Sequence, residues 1–201
     1  MFSGLVEACS ECVRCASAGG GARLAIARPA GWEPVLGESI AVNGACLSVA
    51  AFDARVLEFD LTAETLARTA FGAVRAGARL NLERSLRLSD RLGGHLVTGH
   101  VDAVGRIDAI RGDVRAGWTF TFEVPAGFER YLVDKGCISV HGISLTVVSP
   151  RAQRFDVAVI PLTFEHTHLG SARVGDAVHL EADLLAKYVE RLLGSAAQAA
   201  R

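Results

Sequence analysis

Three cysteines stand three residues apart in the run ACSECVRC: Cys9, Cys12 and Cys15. That spacing evokes an iron–sulfur or zinc site, where thiolates converge on one ion. Such a site needs a fourth ligand close by, and none is placed there. A strand over this run would also send Cys9 and Cys12 to opposite faces. Two other short runs offer different chemistry. In GISLT, alternation sets Ser144 and Thr146 on one strand face and Leu145 on the other; in GACLSV, Cys46 and Ser48 share a face opposite Leu47. One strand face of a small barrel commonly forms a binding surface. Against that, strand hydroxyls are ordinary and a free cysteine is most often core. An imidazole titrates near neutrality, so His100 suits proton transfer or is a plain loop histidine. His95 beside Gly93-Gly94 reads as structural, Lys135 as a turn lysine, and His166 and His168 as a weak metal pair on a strand or turn.

The elements that must position these groups come in two copies. SIAVNGACLSV (39–49) and CISVHGISLTV (137–147) share Ile40/Ile138, Val42/Val140, Gly44/Gly142, Leu47/Leu145 and Val49/Val147 at an offset of 98. The offset persists through Thr65/Thr163, Thr69/Thr167, Gly72/Gly170, Gly77/Gly175 and Leu82-Glu83/Leu180-Glu181. At the front, Gly4-Leu5-Val6-Glu7 matches Gly99-His100-Val101-Asp102 at an offset of 95. A unit this long is a duplicated domain rather than a solenoid repeat. Asn43-Gly44 between alternating segments is a strong hairpin signal, and His141-Gly142 stands in its place in the second copy. Leu57, Phe59 and Leu61 alternate, as do Phe155, Val157 and Val159. The expected fold is all-β: two similar small Greek-key-type barrels, which remove exposed strand edges. Residues 1–93 form the first, 94–183 the second, and 184–201 a helix and tail.

Two segments read as helices. Ala63–Thr69 is short and polar on one side. Over 184–193, Leu185, Tyr188, Val189 and Leu192 recur at helical spacing, with Asp183 placed to cap. This stripe belongs to neither copy, so it is expected to pack on a partner, self-association included. Residues 194–201 are expected to fray. The chain has 201 residues, half of them hydrophobic, and a formal net charge of −1. No basic stripe points to nucleic acid. No apolar run approaches a membrane span, no secretory signal is evident, and five cysteines do not form a disulfide framework. A cytoplasmic protein follows.

The motifs MFSGLVE, SIAVNGACLSV, GGHLVTGHVD, KGCISVHGISLTVV, IPLTFEHTHLG and KYVERLL, in this order, resemble the riboflavin synthase family over nearly the whole chain. The resemblance implies a homotrimer of two-barrel subunits. Each barrel binds one 6,7-dimethyl-8-ribityllumazine, and two lumazines dismutate where barrels of neighbouring chains meet, without cofactor or metal. Lumazine synthase is a further implied partner. The implied catalytic residues are Ser144, His100, Cys46, Ser39 and Asp183. Ligand contacts are implied for Gly4, Leu5 and Val6; for Ala45, Cys46, Leu47 and Ser48; and for Asp60, Leu61, Thr62, Ala63, Glu64 and Thr65. They are implied also for Gly99, His100 and Val101; for Lys135; for Ser144, Leu145 and Thr146; and for Ile160, Pro161, Leu162, Thr163, Phe164 and Glu165. Hydroxyls and carboxylates in this set suit a polyol side chain. The family has Asp-Gly where this chain has His141-Gly142; histidine can replace an aspartate that only shapes the turn, but not one that takes part in catalysis. A non-catalytic lumazine- or flavin-binding protein of the same fold is the alternative. A flavin oxidoreductase would need a Gly-rich phosphate loop after a strand, and none is present.

Overall fold

The computed structural model describes residues 1–199, with side chains through Leu193. Strands β1 (Ala8–Ala18), β2 (Gly21–Ala27), β3 (Ser39–Val42), β4 (Ala45–Phe52), β5 (Val56–Leu61) and β6 (Arg79–Arg84) close into an antiparallel barrel in the order β1-β2-β5-β4-β3-β6. Helix α1 (Ala63–Arg68) follows β5; Thr62 caps it by accepting a hydrogen bond from the Thr65 N–H. The second copy repeats this order with β7 (Ala103–Asp113), β8 (Gly117–Glu123), β9 (Cys137–Val140), β10 (Ile143–Thr146), β11 (Val148–Arg151), β12 (Arg154–Val159) and β13 (Ala177–Ala182). Here the counterpart of β4 is split at Val147 into β10 and β11, so the sheet has seven strands. The all-β, duplicated expectation holds. Each barrel fills with its own apolar side chains: Leu24, Ile40, Leu57, Phe59 and Leu82 in the first, and Phe120, Phe122, Val140, Phe155 and Leu180 in the second.

Three helical details depart from the sequence reading. Residues 160–165 are expected ligand contacts and His166 is expected on a strand or turn; Pro161–His166 form helix α2, the copy of α1. Its start lacks a side-chain cap, and Pro161 supplies the helical φ instead. Helix α1 ends at Arg68, where Thr69 turns extended. Helix α3 (Leu184–Ala199) runs on through 194–199, where fraying was expected; residues 200 and 201 lie outside the described residues. Asp183 accepts from the Leu185 N–H at 2.9 Å, as its capping role required. Ion pairs Lys187–Asp102 and Arg130–Glu190 seat α3 on the second barrel. Leu185, Tyr188, Val189 and Leu192 stay exposed on it. Among the described residues no helix is long and apolar enough to cross a membrane.

The barrels meet across a pseudo-two-fold axis built from equivalent residues. Phe2 and Val97, which the front repeat pairs, form an antiparallel bridge with both hydrogen bonds made. Together with Ala41 they make a small buried core between the barrels. The two hairpin tips touch: a Cβ on Gly44 would lie 2.6 Å from the Gly142 N, and one on Gly142 would lie 2.7 Å from the Gly44 N. Both glycines have φ near +80°, so contact and conformation each exclude a side chain there.

The residues flanking this axis differ between copies in a matched way. In the first, the Asn81 N–H donates to Asn43 Oδ1, and Asn81 Nδ2 donates to the His141 carbonyl. In the second, the His179 N–H donates to His141 Nδ1, and His179 Nδ1 lies 2.9 Å from the Asn43 carbonyl. The third group follows the same rule. Asn81 Oδ1 accepts from the His168 N–H, and His179 Nε2 accepts from the Ala70 N–H. An Asn pair has thus become a His pair with its hydrogen bonds preserved. His141 is therefore a buried member of the barrel junction and adopts the positive φ (48°) that the turn demands.

Candidate functional site

The first barrel carries a cleft of about 460 Å³. Its floor is the β4 face at Ala45, Cys46 and Leu47; one wall is α1, through Glu64, Thr65, Arg68 and Thr69. The other wall is Gly99–Asp102, which comes from the second copy. The Cys46 N–H donates to the Gly99 carbonyl at 2.8 Å, extending the sheet by one crossing segment. Glu181 holds that segment from below: its carboxylate accepts from the Thr98 N–H, the Thr98 hydroxyl and the Gly99 N–H at 2.7–3.0 Å. Val101 packs on the first barrel's core.

The second barrel has the same construction with the copies exchanged. The Ser144 N–H donates to the Gly4 carbonyl at 2.7 Å. Glu83, from the first barrel, accepts from the Ser3 N–H, the Ser3 hydroxyl and the Gly4 N–H. Val6 packs on the second barrel's core. Each barrel's candidate face is thus capped by the segment that precedes the other barrel. The sequence repeat predicted two equivalent faces but not this exchange. The chemistry of the faces differs at Cys46 against Ser144 and at His100 against Leu5.

The sequence-predicted residues divide accordingly. Ala45, Cys46, Leu47, Glu64, Thr65, Gly99, His100 and Val101 share the first cleft, with Ser48 exposed further along β4. Asp60, Leu61, Thr62 and Ala63 line a neighbouring hollow with Gly19–Gly21. There Asp60 is paired with Arg23 and Thr62 caps α1. Ser39 sits opposite Ser48 in the sheet, and its carbonyl accepts from the Ser85 hydroxyl. On the second barrel, Ser144 is half-buried, Thr146 exposed and Leu145 buried, as alternation required. The Phe164 ring stacks on Trp118 at 3.7 Å and faces the core. Ile160 and Leu162 are exposed, whereas Pro161 and Thr163 are half-buried. Glu165 is solvated. The cleft holding Cys46 and His100 is lined by neither Ser144 nor Asp183, so one chain does not bring the five candidate catalytic groups into one cavity. A larger cleft, about 540 Å³, lies between the first barrel and residues 85–91; opposed Glu and Arg side chains line it, and of the candidates it touches only Leu5.

Two histidines acquire definite partners. His95, read as structural, has its Nδ1 2.7 Å from Ser144 Oγ. His168 is not a partner for His166; it is buried at the barrel junction, while His166 Nδ1 lies 3.0 Å from the Leu162 carbonyl. Cys12 is 1% exposed in the first core, and burial raises its thiol pKa, which disfavours the thiolate a metal would need. A bulge between Cys12 and Arg14 breaks the alternation, so Cys15 also packs toward that core. Among the described residues no group of three or more His, Cys, Asp or Glu is placed to hold a metal.

Lys135 stands in the left-handed region, φ 63°, where the first copy has Gly37 at φ 81°. Both donate their N–H across the turn, to Val147 and Val49. A lysine there costs about 1 kcal/mol that glycine would not. Lys135→Gly is therefore expected to raise thermal stability by roughly that amount while weakening ligand capture. Paired melting and binding measurements check this, and unchanged binding would make Lys135 a turn residue only.

A family model for the lumazine binding domain matches residues 3–85 and again 98–183. Its two matches begin 95 residues apart and end 98 apart, as the internal repeat does. The chain is 47% identical over 201 residues to riboflavin synthase of Mycobacterium bovis, covering 98% of this chain and all of that one. It is 37% identical over 194 residues to riboflavin synthase of Actinobacillus pleuropneumoniae, covering 96% and 90%. The chain belongs to the riboflavin synthase family. The fold is shared more widely. Crystal structures of LumP with riboflavin and with 6,7-dimethyl-8-(1'-D-ribityl) lumazine superpose with TM-scores of 0.83 and 0.80, each at 22% identity over 90% of this chain and 99% of that one. The doubled lumazine binding domain accounts for the presence of two equivalent faces in one chain.

Proposed function

We propose that this chain is a riboflavin synthase, converting two 6,7-dimethyl-8-ribityllumazine molecules into riboflavin and 5-amino-6-(D-ribitylamino)uracil. One lumazine loses a proton from its C7 methyl group. The resulting carbanion adds to the second lumazine, which then surrenders a four-carbon unit. One molecule gains those carbons and the other leaves as the pyrimidine, so no outside oxidant or reductant enters. The observation that carries this reading is the pair of crossed, equivalent faces with unequal chemistry. Two identical substrates need two like pockets, and donor and acceptor need different groups around them. Cys46 and His100 line one face; Ser144 and Thr146 lie on the other. Holding the two rings face to face replaces a bimolecular encounter with a positioned one, and fixed donors stabilise the ring anion.

The faces lie on separate barrels, so stacking two rings calls for a second chain. The apolar stripe of α3 supplies a contact for it, worth a few kcal/mol at ~25 cal/mol per Å². A cytoplasmic homotrimer with barrels paired between chains, and with lumazine synthase as neighbour, completes the reading. The decisive experiment incubates purified protein with the lumazine alone. Riboflavin and the pyrimidine should appear in equal amounts. Tight binding without turnover would instead support the non-catalytic carrier. Assembly is tested by mixing Ser144→Ala/Thr146→Ala chains with Cys46→Ala/Ser48→Ala chains after dissociation. Random pairing should restore roughly a quarter of the sites. No recovery in proven mixed oligomers would place the whole site within one chain.

A further inference from the structure

We infer that His95 is a positioning residue that turns the Ser144 hydroxyl outward as a donor to the ligand of the second barrel. This rests on the reading of the Ser144 face as a lumazine site.

The imidazole is 7% exposed and sits behind Ser144, with Nδ1 2.7 Å from its Oγ. The backbone holds it there. The His95 N–H donates to the Ser3 carbonyl, in the crossing segment whose next residue, Gly4, receives the Ser144 N–H. Even Gly94 is pressed against the serine: a Cβ on it would lie 2.9 Å from Ser144 Oγ. The other ring nitrogen, Nε2, is buried and meets no hydrogen-bond partner.

That bare nitrogen decides the tautomer. If Nδ1 accepted the serine proton, a neutral ring would carry its own proton on Nε2 and bury an unpaired N–H. Orphaned buried N–H groups are rarer than unfilled acceptors. The better-satisfied arrangement has Nδ1–H donating to Ser144 Oγ and leaves only a lone pair bare on Nε2. Burial lowers the His95 pKa, against a weaker opposing pull from Asp183, so the ring stays neutral near pH 7. With one lone pair of Oγ occupied from behind, the Ser144 proton is free to point along the strand face that also carries Thr146. The hydroxyl thus keeps its proton available for the ligand, and a donor suits an anionic ring. Cys46, the counterpart in the first barrel, has no imidazole hydrogen-bonded to it among the described residues, so this device distinguishes the two faces.

The test titrates the whole protein with riboflavin, which is not consumed, and resolves one site per barrel. His95→Leu should weaken the second-barrel site about tenfold and leave the first-barrel site within twofold. His95→Asn, whose amide can place an N–H near the Nδ1 position, should restore most of the loss. In a Ser144→Ala background, His95→Leu should add nothing. A general packing defect would instead lower affinity equally with or without the serine hydroxyl, and that result overturns the inference. So does an Asn variant as weak as Leu, or a silent His95→Leu while Ser144→Ala alone weakens binding. If Ser144→Ala is itself silent, the inference falls together with the Ser144 site.

Discussion

Lowering the pH from 7 to 4 is expected to destabilise this protein steeply, beginning near pH 6.5. His141, His168 and His179 are buried together at the barrel junction, with His141 edge-on to the other two rings at 4.5 and 4.7 Å. Burial is the main cause that depresses all three; the pKa of His168 and of His179 is lowered to about 4, and that of His141 well below its usual value. Unfolded, each would titrate near 6.5. Because the folded values are the lower ones, the unfolded chain takes up protons first. The stability of the neutral cluster is complete above about pH 6.5 and is lost as pH falls toward 4, where the folded form begins to accept protons too. A shift of this size corresponds to roughly 3 kcal/mol for each of His168 and His179, and mutual repulsion among three charged rings makes the steps interdependent. Typical domains have only about 5–15 kcal/mol in total. The hydrogen bonds explain why relief is difficult: His141 Nδ1 and His179 Nε2 are acceptors for backbone N–H groups, and a proton on either would break that bond. Denaturant titrations at pH 7, 6, 5 and 4 measure the slope. The double substitution His141→Asn/His179→Asn, which copies Asn43 and Asn81, should flatten most of it. A stability that stays level down to pH 5 in the original protein would refute the argument.

Glu83→Ala should damage the ligand site of the second barrel, and Glu181→Ala that of the first. Each carboxylate lies in a strand of its own barrel yet satisfies two N–H groups and one hydroxyl in the segment that caps the other barrel's candidate face. Truncation orphans three donors, all buried around Glu83 but only partly buried at Thr98 beside Glu181, at up to about 1–3 kcal/mol apiece. Partial entry of water leaves an expected loss of about 3–5 kcal/mol in stability, with at least a tenfold loss of affinity at the opposite barrel. Glu83→Gln should be intermediate, because one acceptor oxygen remains and an amide N–H now faces the Gly4 N–H. Melting curves and riboflavin titrations resolved by barrel would read both effects. Loss confined to the barrel that carries the mutated strand would show that the crossing segments do not shape the sites.

Much of this architecture was legible because it was written twice. The offset between SIAVNGACLSV and CISVHGISLTV fixed the duplication, and alternation around Leu47 and Leu145 fixed which side chains share a face. What stayed hidden depended on tertiary contacts that no local pattern encodes. Helix α2 has an uncapped start at Ile160, so only Pro161 and the match to α1 marked it. The bulge after Cys12 broke the alternation on which the sidedness of the cysteine run was judged. His95 looked like linker because the partner that makes it interesting is 49 residues away. Taken alone, His141 is a turn residue or a lost catalytic aspartate; its meaning lies in His179, which changes with it relative to the first copy. That pairing could have been noticed by extending the repeat by one residue upstream of Leu82 and Leu180.

The exchange of capping segments also bears on how the chain can be made. Ser3 and Gly4 are translated well ahead of their partner: the strand of Ser144 that receives Gly4 follows about 140 residues later. At roughly 5–20 residues per second, that is a wait of about ten to thirty seconds. During it, Glu83 can hold the N-terminal residues on the first barrel, keeping Phe2 and Val6 in reserve until the second barrel exists to bury them. The first barrel waits far less for its own cap, since Gly99–Asp102 emerges soon after β6. Birth order therefore makes the two halves unequal: the first can finish its pocket early, whereas the second cannot finish without a segment translated before any of its own strands.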